Sequence, residues 1–161
     1  MTKGPNGFSL IELLIVIAII LIISAIAIPN LLRSRVAANQ ASAVGSLRTL
    51  NVAESTYSSV FNSGFSGDIA SLGPMGASGG SPTSTAAGLI DSVLAAGSKS
   101  GYSFTYTPGD SDSAGRIDSY SVTAIPLSSS TGTNYYYTDE SGVIRQNSTT
   151  TATATDSPLA G

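Results

Sequence analysis

Three groups of acidic side chains are the residues of this sequence that could do chemistry. Asp139 and Glu140 are adjacent, the minimum for a proton-sharing carboxylate pair, but neighbours in a turn point apart and stay hydrated. Residues 109–118, GDSDSAGRID, place Asp110, Asp112 and Asp118 at spacings that a hard cation such as calcium could use. The match to a calcium loop is incomplete, since Ala114 replaces an oxygen ligand and Ser121 stands where a closing glutamate is needed. The third case is Glu12, alone in an otherwise apolar run. A carboxylate at the centre of a spanning helix costs about 2.5–3.5 kcal/mol on insertion scales, so it implies a function or a partner. The chain has no histidine and no cysteine. Proton transfer by imidazole, thiolate metal sites and disulfides are thereby excluded. No catalytic set remains, and neither an enzymatic activity nor a cofactor is expected.

The elements that must carry these residues divide sharply. Only 11% of residues are charged while 42% are hydrophobic, an imbalance that comes mostly from residues 8–28, FSLIELLIVIAIILIISAIAI. About 21 helical residues rise roughly 31 Å, the hydrocarbon thickness of a bilayer. The run is too long, and its polar lead too brief, for an ordinary secretory signal. A membrane-spanning helix is expected, and Pro29 marks its end or a kink.

Beyond Pro29 the pattern becomes amphipathic. Val36, Ala43, Val44, Leu47, Leu50, Ala53, Tyr57, Val60 and Phe61 recur at three- and four-residue steps and predict one buried face. Arg33, Arg35, Arg48 and Glu54 are expected mostly off that stripe. Stop signals come at Asn62, Ser63 and Gly64. Residues 65–85 read as a surface connection with a short turn at residues 68–72, and residues 86–96 as a short second helix closed by Gly97. Strand alternation follows at Tyr102, Phe104 and Tyr106, then at Tyr120, Val122 and Ala124. Residues 135–138 and 143–145 form a hairpin around Asp139-Glu140-Ser141-Gly142, with Tyr136 facing opposite its neighbours. The Thr, Ala and Ser tail, residues 148–161, reads as flexible. The predicted class is α+β: a long helix protrudes at its N-terminal end and packs by its C-terminal half on a small antiparallel sheet.

The residues GFSLIELLIVIAIILIISAIAIP, from Gly7 to Pro29, resemble the leader junction and N-terminal helix of type IV pilins and of the related pseudopilins of type II secretion. The globular part resembles that family in outline only. The resemblance implies cleavage by a prepilin peptidase between Gly7 and Phe8, N-methylation of Phe8, an assembly role for Glu12 and a helix kink at Pro29. It divides the chain into a leader (1–7), a membrane and filament-core segment (8–29), a globular head (30–147) and the tail (148–161). Cleavage would free an amine on Phe8 with a reference pKa near 8, mostly cationic at neutral pH. Glu12 lies four residues on, about 6 Å along the helix axis. The amine of an incoming subunit could then pair with Glu12 of an assembled neighbour and fix axial register, or Glu12 could pair within its own chain.

The implied partners are other copies of the chain in a helical filament, the prepilin peptidase, an assembly platform with its ATPase, and the bacterial inner membrane. The implied location is the inner membrane with a cytoplasmic N-terminus, then an extracellular filament. Charge placement does not favour that topology by itself, because Arg33, Arg35 and Arg48 outnumber Lys3 across the span. Nucleic acid is not expected as a partner: the net charge is -3, and Arg116 and Arg145 are too few for a basic stripe. A type II pseudopilin shares the whole N-terminal mechanism and is the alternative. A membrane-anchored enzyme or binding protein lacks any convincing catalytic set.

Overall fold

The computed structural model describes residues 7–76 and 80–159. The chain divides into two units, Met1–Arg35 and Val36–Gly161. Helix α1, Leu10–Phe61, contributes to both.

In the first unit, described from Gly7, α1 is apolar on all sides from Leu13 to Ile28 except at Ser24. Its large hydrophobic side chains from Phe8 to Leu32 are between 47% and 80% exposed. By length and composition it can cross a membrane. Helical structure is unbroken through Pro29, which supplies no donor of its own. The Asn30 side chain next to it donates to the Ile26 carbonyl at 3.1 Å.

The second unit is α+β. The α1 residues Ala43, Val44, Leu47, Leu50, Ala53 and Tyr57 are buried, as their period predicts. They share a core with Tyr102, Phe104, Tyr120, Val122, Ala124 and Tyr136 of a five-stranded sheet. The strands are β1 (Ser98–Lys99), β2 (Tyr102–Pro108), β3 (Tyr120–Pro126), β4 (Tyr135–Asp139) and β5 (Arg145–Asn147), in meander order with every pair antiparallel. Phe104 opposes Ala124, and Ala124 opposes Tyr136, so alternate residues of neighbouring strands reach the helix together. Tyr136 is buried and its two neighbours are half-buried. The helix stops where expected. Asn62 and Gly64 both take left-handed backbone, and at Gly64 a Cβ would lie 2.1 Å from the Ile117 carbonyl oxygen, which accepts the Phe65 N–H.

Several expectations need correction. Val60 is 63% exposed and does not join the buried stripe. Glu54, expected off the stripe, is fully buried. The second helix is only α2, Ser92–Ala95, because Asp91 caps the Val93 and Leu94 N–H groups and Gly88 takes positive φ. Ala87, Leu89 and Ile90 instead donate backbone hydrogen bonds to Ser71 and Leu72. Leu72, in the short 3-10 turn Ala70–Leu72, is wholly buried, so residues 65–85 are more than a surface connection. Strand β5 begins at Arg145, two residues later than the pattern gives, and Ile144 instead turns into the core. The described part of the tail folds back on β5. Gln146 N–H donates to the Ser157 carbonyl, Leu159 N–H donates to the Ile144 carbonyl, and Ala152 is 1% exposed.

Candidate functional site

The start of α1 is built by its own sequence. The Ser9 carbonyl accepts from the N–H groups of Glu12 and Leu13, which makes Ser9 the first turn's N-cap. Glu12 sits three residues further on, and its Oε2 accepts the Ser9 backbone N–H at 2.9 Å. This is the glutamate half of a capping box: the side chain turns back toward the N-terminus and satisfies a donor the helix cannot. A carboxylate there also faces the positive end of the helix dipole. The sequence carried the signal, Ser-x-x-Glu ahead of an apolar run.

Gly7 and Phe8 precede the first helical turn, and both are exposed. Among the described residues nothing lies within 4 Å of a Cβ built on Gly7. Gly7 and Phe8 lie just ahead of the Ser9 N–H that the Glu12 carboxylate accepts. Residues 1–6 of the expected leader lie outside the described residues.

The other candidate acids are engaged elsewhere. Asp112 Oδ1 accepts the Ala114 and Arg116 N–H groups, each at 2.8 Å. The Arg116 N–H bond, with that of Ala114 behind it, holds its carboxyl below the usual carboxylate range. Asp118 pairs with Arg116 Nε at 2.9 Å. Asp110 is exposed, and among the described residues no three acidic groups converge on a metal site. Asp139 accepts from Ser141, while Glu140 is exposed at the turn.

Sequence reasoning missed one buried acid. Glu54 accepts the Ser66 N–H at 2.9 Å and the Ser66 hydroxyl, while the Tyr106 hydroxyl donates to the Ser66 carbonyl. Burial pushes the Tyr106 hydroxyl well above its ordinary value, despite an opposing hydrogen bond with Ser66. No periodicity would have revealed this network, since Ser66 lies beyond the end of the helix. It ties the last turns of α1 to the following loop and to β2.

Comparison with known proteins bears on the N-terminal segment. The family model of the prokaryotic N-terminal methylation motif matches residues 3–28. The chain is 62% identical over 37 residues to the type IV wide pilus major component PilA4 of Thermus thermophilus. That match spans 23% of this chain and 28% of the relative. No solved structure matches the chain. The N-terminal segment matches the prokaryotic N-terminal methylation motif, the chain shares a stretch with a type IV pilus component, and the long helix packed on an antiparallel sheet is the arrangement that the resemblance implied.

Proposed function

We propose that this chain is the structural subunit of a type IV pilus, held in the bacterial inner membrane by residues 8–28 and later polymerised through the same residues. The observation that carries the proposal is the apolar surface of α1. Large hydrophobic side chains from Phe8 to Leu32 are mostly left uncovered by the described residues, and water is a poor solvent for so large a continuous surface. Lipid can cover it before assembly and sister helices after. Ala18, Ala25 and Ala27 permit close helix approach.

In this reading the prepilin peptidase cuts between Gly7 and Phe8, leaving an amine that is then methylated. Glu12 of an assembled neighbour accepts that cation within a low-dielectric bundle, where a charge pair discriminates between axial positions. Pro29 marks the point where the helix bends or loosens as subunits pack. An assembly platform and its ATPase drive extrusion, with the N-terminus starting on the cytoplasmic side. The match to a pilus component supports the pilus reading over a pseudopilin, which would share every step at the N-terminus.

The test is the mass of the native N-terminus, combined with electron microscopy of sheared cell-surface material. Methylated Phe8 at the terminus, in protein recovered from filaments, is the expected result. Protein that keeps Met1 and is absent from any filament would overturn the proposal.

A further inference from the structure

Away from the assembly segment, a half-open cavity of about 340 Å³ lies between α1 and the loop joining β4 to β5. Asn51 orders its base. Tyr120 Oη donates to Asn51 Oδ1 at 3.0 Å, and Asn51 Nδ2 donates to Thr138 Oγ1 at 2.9 Å and to the Gly142 carbonyl at 3.2 Å. Helix, sheet and loop are therefore locked together behind the cavity. The half-buried Phe65 ring forms part of its lining, set edge-on to Tyr120 with centroids 4.8 Å apart. Ser55 and Ser58 of α1 also line it, and neither hydroxyl has a partner among the described residues. The exposed Glu140 carboxylate lines it too, beside Ser59 and Ser141, and forms no salt bridge among the described residues.

These groups restrict what could bind. The volume is at the lower end of the roughly 300–1,000 Å³ typical of small-molecule sites. Among the described residues no basic side chain lines the cavity, so an anionic ligand would meet Glu140 without compensation. A wholly apolar ligand would strip water from the serine hydroxyls and the carboxylate and return no hydrogen bonds. A ligand with one CH-rich face and several hydroxyls meets both demands, because an aromatic ring takes the apolar face while the polar groups bond the rim.

We propose that this cavity binds a single neutral hexose unit. The sugar's CH face rests on Phe65, its hydroxyls donate to Glu140, and others exchange hydrogen bonds with Ser55 and Ser58. The open rim makes binding weak, on the order of 1 mM for one site. Binding itself needs no polymer. If the chain forms a filament, the site recurs on every subunit, and many weak contacts add by avidity.

The experiment uses the full chain in a sugar-free zwitterionic detergent, probed by saturation-transfer NMR. The probes are methyl β-glucopyranoside, methyl β-galactopyranoside and N-acetylglucosamine, with glycerol as the open-chain control. The expected result is saturable transfer for at least one hexose, strongest on ring CH protons, and none for glycerol. Ser58→Ala and Glu140→Gln should each weaken it about tenfold or more, with unchanged thermal melting. Phe65→Leu should abolish it. Ser58→Ala sits on an α1 helix that tolerates alanine well, so loss of binding there is not loss of fold. Absence of transfer from all three hexoses, equal transfer from glycerol, or transfer unchanged in the Ser58 and Glu140 variants would overturn the proposal.

Discussion

The Glu12 carboxylate accepts the Ser9 backbone N–H at 2.9 Å, so the acid of the apolar segment already points toward the chain's N-terminal end. Two roles are thereby superimposed on one side chain: capping its own helix and, in the proposed filament, receiving a neighbour's amine. They separate by substitution. Glutamine at this position can still complete a capping box but carries no charge. Glu12→Gln should keep the helix start intact by amide hydrogen exchange and yet yield few filaments, whereas Glu12→Ala should lose both. Filaments from Glu12→Gln at wild-type yield would eliminate the charge pair as the source of register.

Gly7 has open space around it among the described residues, so a methyl group there meets none of them. Gly7→Ala should therefore leave insertion and head stability unchanged while blocking the proposed cleavage. Intact-mass measurement of membrane-extracted protein reads this directly. A normal mature mass from the variant would mean the junction lies elsewhere.

Glu54 and Ser66 join the end of α1 to the loop that follows it, in a site closed to water. Glu54→Ala leaves the Ser66 N–H buried without its acceptor, a penalty of about 1–3 kcal/mol. The head should melt earlier in thermal unfolding of the full chain, while Glu54→Gln, which retains one acceptor, should lose less. Equal melting of all three proteins would show that water reaches Ser66.

Residue types made some of this legible and concealed the rest. The apolar run from Phe8 announced itself by length, and Leu47, Leu50 and Tyr57 by helical period, because burial of a regular element leaves a regular trace. Tyr102, Phe104, Tyr120 and Val122 were legible for the same reason at period two. Glu54 was not, since a charged residue reads as surface until its partner is known, and Ser66 carries no mark of that role. Val60 fits the helical period but lies where the core has ended, a boundary set by tertiary packing alone. The capping role of Glu12 was present as a four-residue pattern but was overshadowed by the question of its charge.

The tail shows how polar sequence can fold without periodicity. Asp156 accepts from Thr153 N–H at 2.7 Å and from Asn147 Nδ2 at 2.8 Å, and Arg145 Nη1 donates to its carbonyl. The Thr153 backbone bond, followed by its hydroxyl and Asn147, holds the Asp156 carboxyl below the usual carboxylate range. A depressed carboxylate contributes stability above its unfolded pKa and loses it as pH falls through the folded one. The amides of Thr153, Asp156 and Leu159 should therefore be protected from exchange at neutral pH and lose protection under acid. Removing residues 148–161 should lower the melting temperature of the head by uncovering Ile144. Rapid exchange at neutral pH would return the tail to the flexible state its composition implies.

Alkaline pH should unfold the head through its buried tyrosines. Tyr102 has no exposed surface, and its hydroxyl donates to the Asn134 carbonyl at 2.9 Å. Burial, with Tyr136 and Tyr135 nearby, pushes it from 10.0 up to about 12. Burial pushes Tyr106 and Tyr120 up as well. A raised folded-state pKa means the unfolded chain releases its proton first. The contribution of Tyr102 is complete below pH 10.0 and is lost as pH rises through about 12, a loss of about 2 kcal/mol by that point. Tyrosinate absorbance and backbone circular dichroism, followed together on the full chain in detergent, should change in one cooperative step. Tyr102→Phe should cost about 1 kcal/mol at neutral pH through the lost hydrogen bond, but flatten the dependence above pH 10.0. Gradual ionisation of all the tyrosines near their ordinary value, with the fold intact, would show that the sheet face beneath α1 admits water.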